Sequence, residues 1–170
     1  MSPATSRRLK EGASAGVVAG LVFAVMQVVS AVLMGQPATS PFRLLASIVL
    51  GESAFTTTTL AGAIVTGTTV HLALSALYGT IYAFISSRLP TESNVSLIQQ
   101  ASLGFGFGVA LWVVNFLVFA RMFYPWFLDT PQPVQAILHA ACFGLPLAFV
   151  YASAERRQPL LLRSDDVFVR

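Results

Sequence analysis

The chain has 170 residues and a formal net charge of +3, with 55% hydrophobic and only 10% charged residues. A soluble domain carries about 25% charged residues, so this composition excludes an ordinary soluble globular domain. The cations are split among three segments with no basic stripe and no stacking platform, which excludes a nucleic-acid surface. The bilayer is the solvent that remains.

A helix that spans a bilayer needs about 20 mainly apolar residues, and four windows qualify, at roughly 13–34, 64–87, 101–122 and 133–154. They predict an all-α, integral membrane four-helix bundle: one membrane domain over 1–170, with tails at 1–12 and 155–170. The first window follows SRRLK, as a secretion signal would. Its apolar run exceeds the ~7–15 residues of a signal core and no A-x-A site follows, so it reads as a retained helix. From its edge inward, Gly12, Gly16, Gly20 and Ala24 recur at four-residue steps. Small residues at this spacing let helix backbones approach closely, either within the bundle or between two copies.

The next segment, SPFRLLASIVLGESAFTTTT, predicts a helix near 41–50. Ser40 suits the N-cap, Pro41 the first helical position and Gly51 the stop. This helix is too short to span and is expected to lie in the interface or cap the bundle, with Arg43 and Ser47 one turn apart. The second window carries VHLALSALYG, where His71, Ser75, Tyr78 and Tyr82 share one helix face. The third begins GFGFGVALWVVN, with Gly104 and Gly108 at the small-residue spacing and Asn115 further on. The loop FYPWFLDTPQP places Tyr124 and Trp126 at the expected aromatic belt, and Arg121 within reach of headgroups. The fourth window, containing HAACFGLPLAFVY, holds His139, Cys142 and Pro146. The proline should kink this helix or leave one carbonyl to be covered by a neighbour.

Arg7, Arg8 and Lys10 precede the first window, Arg88 lies between the second and third, and Arg156, Arg157, Arg163 and Arg170 follow the fourth. Only Arg43 and Arg121 fall on the other side. This asymmetry predicts cytoplasmic termini in a bacterial inner membrane, with anionic lipid contact at that face. It also puts the NVS sequence at Asn94 on the cytoplasmic side, which discounts it as a glycosylation acceptor. The segment QPLLLRSDDVFVR at 158–170 reads as a flexible or partner-docking tail, and a single cysteine rules out an internal disulfide.

The chain also reads as two copies of one unit. Gly16 and Gly20 align with Gly104 and Gly108, and without a gap Gln27 falls on Asn115, Met34 on Met122 and Pro37 on Pro125. His71 likewise falls on His139 and Arg88 on Arg156, whereas Tyr82 and Tyr151 match only with a one-residue slip. Two parallel-repeat hairpins related by an axis along the membrane normal follow from this pattern.

The repeat sets the polar residues at similar depth: Gln27, His71, Asn115 and His139, all expected in the outer third. Three readings compete. Each histidine bonds the amide of its own unit's first helix and fixes register. Alternatively, His71 and His139 face each other as axial ligands of haem b, or of chlorophyll or bacteriochlorophyll magnesium, with Gln27 and Asn115 in support. In the third reading the set lines a path for a small solute or a proton. Cys142, one turn from His139, is a candidate soft co-ligand, though such a cysteine is more often a small core residue. Glu52 and Asp129 are outer-loop carboxylates without an evident partner. The sequence contains no phosphate-binding glycine loop, no H-E-x-x-H and no G-x-S-x-G, so no catalytic or separate metal site is expected.

LLASIVLGESA, HLALSALYG, GFGFGVALWVVN and HAACFGLPLAFVY together resemble a group of small, uncharacterised bacterial four-helix membrane proteins. The resemblance covers most of the chain and implies the fold but no activity. The expectation is a non-enzymatic accessory subunit of a larger, bioenergetic membrane complex, in contact with lipid and with other integral membrane subunits or itself.

Overall fold

The computed structural model describes residues 3–88 and 96–165, with side chains over 5–88 and 96–156. Asn94, Arg170 and the end of the 158–170 segment lie outside the described residues, as do the side chains of Arg157 and Arg163. Helix α1 is Pro3–Leu33, α2 is Ser40–Leu50, α3 is Ser53–Thr56 and α4 is Leu60–Ser86. Helix α5 runs as Leu97–Trp112, widens into a π-helical stretch at Val113–Ala120 and closes with Arg121–Phe123. A 3₁₀ turn follows at Pro125–Asp129. Helix α6 runs as Gln132–Ile137, is π-helical over Leu138–Gly144 and continues as Leu145–Asp165. No strand occurs among the described residues.

Four helices are long and apolar enough to cross a membrane: Thr5–Leu33, Leu60–Ser86, Leu97–Phe123 and Gln132–Arg156. Each lies within a few residues of its expected window. The first begins earlier, because residues 3–12 of the expected tail are already helical; the last continues helical to Asp165.

Local chemistry sets the helix ends. The Thr59 hydroxyl accepts the Gly62 amide at 3.1 Å and caps α4. Ser96 and Gln99 form a reciprocal capping box at the start of α5, at 3.2 and 3.0 Å. The cap of α2 differs from the expectation: Thr39 holds that position, Ser40 is already helical, and no side chain caps it. Gly51, with φ of 61°, ends α2 in a conformation that costs glycine nothing. In α6 the π stretch ends just before Pro146. Proline cannot donate to the carbonyl four residues back, and widening the helix lets a later amide reach past it.

The long helices assemble as a bundle in which α1 packs on α4 and α6, α6 packs on α5, and α2 lies across α4. The α1–α4 seam is built from small residues. A Cβ on Gly12 would meet Gly79 and Ala83, and one on Gly16 would meet the Ser75 carbonyl and Gly79. The α5–α6 seam is alike, with Gly104 against Gly144 and Ala148, and Gly108 against the His139 carbonyl and Ala140. These glycine stripes lie inside the bundle, where they let the helix backbones approach closely. The outward face of α1, through Val18, Val22, Val25, Val29 and Val32, stays exposed and apolar.

Candidate functional site

Helix α4 buries one residue at every fourth position: Ala63, Gly67, His71, Ser75, Gly79 and Ala83. All are small except His71. Above it Gly67 meets the Phe42 carbonyl of α2, and below it Ser75 and Gly79 meet α1. His71 therefore sits where α4 passes from one neighbour to the other. Its Nε2 lies 2.7 Å from the Gly20 carbonyl. A carbonyl only accepts, so Nε2–H donates and Nδ1 carries the lone pair. The Ser75 hydroxyl donates to the His71 carbonyl at 2.7 Å, so Ser75 closes on its own helix while the His71 ring bonds across to α1.

His139 behaves differently. Its Nδ1–H donates to the Gln135 carbonyl of its own helix at 2.8 Å. The ring packs edge-on against Phe23 of α1 at 4.8 Å and Phe116 of α5 at 5.6 Å. Phe23 also stacks on His71, with ring centroids 5.8 Å apart and planes at 15°. One phenylalanine thus touches both imidazoles.

The four expected polar residues are not drawn to one point. Gln27 pairs with Gln135 through both amides, at 2.7 and 3.3 Å, which ties α1 to α6. Asn115, in the π stretch of α5, accepts the Tyr78 hydroxyl of α4 at 2.8 Å. Neither amide bonds a histidine. Along α1, Gly20 and Gln27 are seven residues apart, or about 10 Å at 1.5 Å per residue, so the polar layer divides into pairs at different heights. Sequence reading missed Gln135 and Phe23, and it placed Tyr78 on the His71 face without pairing it with Asn115. Gln135 was visible as a polar residue one turn before His139, whereas nothing in the sequence marks Phe23 as the ring between the histidines.

Polar contacts close both ends. Tyr82 and Tyr151 pack edge to face at 5.7 Å, and the Tyr151 hydroxyl donates to Glu155 at 3.0 Å. Arg8 lies 3.7 Å from the same carboxylate. At the other end Arg43 donates to the carbonyls of Ala54 and Thr58, at 2.6 and 3.2 Å. The Trp126 Nε1–H donates to the Ser47 hydroxyl at 2.8 Å and holds the 3₁₀ turn on α2.

A cavity of about 50 Å³ lies between α1, α2 and α4, lined by Gln27, Phe42, Leu45, Thr68, His71 and their neighbours. Ligand pockets usually measure about 300–1,000 Å³. No cluster of three or more His, Cys, Asp or Glu with metal-binding geometry occurs among the described residues; Cys142 is half-buried and free. Every buried side-chain nitrogen and oxygen among them has a partner. Comparison with known protein families, curated proteins and solved structures finds no match.

Proposed function

We propose that the chain is a non-enzymatic integral membrane protein, an accessory subunit that packs against a larger membrane complex, with both termini on the cytoplasmic side of a bacterial inner membrane. It consists of two parallel-repeat hairpins, α1–α4 and α5–α6, with α2 and α3 inserted into the first. The observation that carries this reading is the closure of the interior. The buried polar groups bond one another or nearby backbone, and the cavity beside His71 is small. What the molecule offers to others is its surface, where the windows of the first three long helices are only 22%, 22% and 28% buried, against 44% for the fourth. A bioenergetic complex is the proposed setting. Affinity capture after gentle extraction from the native membrane tests this: an integral membrane partner at fixed stoichiometry is expected, and a solitary chain contradicts it.

Paired axial ligation of haem or chlorophyll by His71 and His139 would require more than occupying a ready space. His71 would have to release Gly20 with its Nε2 or bind through the hindered Nδ1, and Phe23 would have to leave the space against both rings. One observation favours a single-histidine version: Nδ1–H of His139 on a backbone carbonyl is the usual companion of ligation through Nε2. A Soret band that disappears in His139→Ala would support that version, and a flat spectrum would remove it. For the solute or proton path, unchanged liposome flux in the His71→Ala, His139→Ala double variant would exclude a role for the histidines.

A further inference from the structure

Arg43 lies in α2, between the end of one long apolar helix at Leu33 and the start of the next at Leu60. The α3 that follows is a single turn, so its last carbonyls lack the amides of a further turn. The Thr58 amide turns back to the Ser53 carbonyl and leaves Ala54 without it. Arg43 fills that gap: its Nη1 donates to the carbonyls of Ala54 and Thr58, at 2.6 and 3.2 Å. Nη1 carries two hydrogens, and both are spent. A guanidinium has five N–H donors; the remaining three, on Nε and Nη2, have no partner among the described residues. No described side-chain nitrogen is both fully enclosed and unpartnered. These donors therefore reach the surface of the half-buried residue. The charge is uncompensated as well. Arg43 makes no ion pair with a described carboxylate, Glu52 and Asp129 of the same end included.

We infer that the free edge of Arg43 binds a phosphate oxyanion, the headgroup phosphate of a lipid in the leaflet at this end of the bundle. Nε–H and the adjacent N–H of Nη2 form a planar fork that matches two oxygens of one phosphate. Nη1 is already fastened to backbone on both of its hydrogens, so the fork is fixed before the ligand arrives and little side-chain freedom is lost on binding. A half-buried charge without a counter-ion is costly, and the phosphate supplies one. A residue between the ends of two spanning helices lies at headgroup depth, outside the hydrocarbon core. Arg121, at the same end, is exposed and makes no hydrogen bond or ion pair among the described residues. Nothing orients it, so it offers only the screened attraction of a surface charge. The inference rests on the reading of the chain as a membrane protein and does not depend on a protein partner.

The test is native mass spectrometry of the full-length chain in detergent, with added dioleoyl-phosphatidylglycerol. One retained phospholipid per chain is expected, in preference to dioleoylglycerol, which has the same tails and no phosphate. Arg43→Lys keeps the charge and loses the fork, and should weaken retention about tenfold; Arg121→Lys should leave it unchanged. Inorganic phosphate added as competitor separates two sources of the ligand. Displacement of the lipid would assign the fork to soluble phosphate as well, and retention would assign it to the headgroup; both support the oxyanion site. Equal retention of dioleoylglycerol, or retention unchanged in Arg43→Lys, would overturn the inference. The dioleoylglycerol comparison uses the native chain, so it decides the matter even if Arg43→Lys does not fold. A chain that holds this lipid but captures no membrane partner would end the accessory-subunit reading and leave the site standing.

Discussion

At the scale of single residues, the seam glycines are separated from the rest by what surrounds them. Gly16 lies against backbone on α4, whereas nothing lies within 4 Å of the position a Cβ would take on Gly106. Gly16→Val should push α1 off α4 at a cost of about 3 kcal/mol, seen as a large fall in the melting temperature in detergent. Gly106→Ala should leave packing unchanged and add up to about 1 kcal/mol through helix propensity. His71→Leu removes the bond to Gly20, and hydrogen bonds between membrane helices average about 0.6 kcal/mol and reach about 1.7. A loss of about 1 kcal/mol is therefore expected; a neutral variant would mean that this bond does not hold α4 on α1. Gly20 keeps its own place in helix α1, so the variant leaves no orphan carbonyl of the kind that makes other polar deletions expensive.

At the scale of elements, the spans were legible because length and hydropathy decide them and little else competes. The short α2 was legible too, since Pro41 and Gly51 bracket an apolar run. The finer cap was not, because Thr39 and Ser40 are both good candidates and only backbone geometry separates them. The π stretches were invisible: hydropathy is blind to whether a helix turn holds 3.6 residues or one more, and Pro146 signalled a disturbance without specifying its form. The glycine stripes marked half of each seam, but the small residues opposite, Gly79, Gly144 and Ala148, were missed, and Ser75 was placed on the His71 face without its contact to Gly16 and Gly20. The loop-end cap offers a direct check. Trp126→Phe keeps the ring against Phe55, at 6.4 Å in the native chain, and deletes only the donor to Ser47. A loss of about 0.5–1.5 kcal/mol is expected, with faster hydrogen exchange confined to α2, α3 and the 3₁₀ turn. Exchange unchanged in those elements would show that the turn is held by packing alone.

At the scale of the whole molecule, α1 meets α6, and the Gln27–Gln135 pair is one of the polar ties between them, beside the Arg8–Glu155 ion pair. Each single change to leucine strands one amide. The double change removes both polar groups, so its cost should fall below the sum of the singles, by about 0.5–3 kcal/mol for residues in direct contact. Additive losses would show the two amides to be energetically independent. The same closure of polar groups on one another leaves apolar helix faces as the main surface for recognition, which is why a membrane partner is proposed in preference to a bound ligand. The native mass of the complex, measured after gentle extraction from its own membrane, tests that proposal most directly. The predicted result is the 18.1 kDa chain together with a second integral membrane polypeptide at fixed ratio and no tightly bound cofactor. The chain alone, or the chain carrying the added mass of a tetrapyrrole, would contradict it.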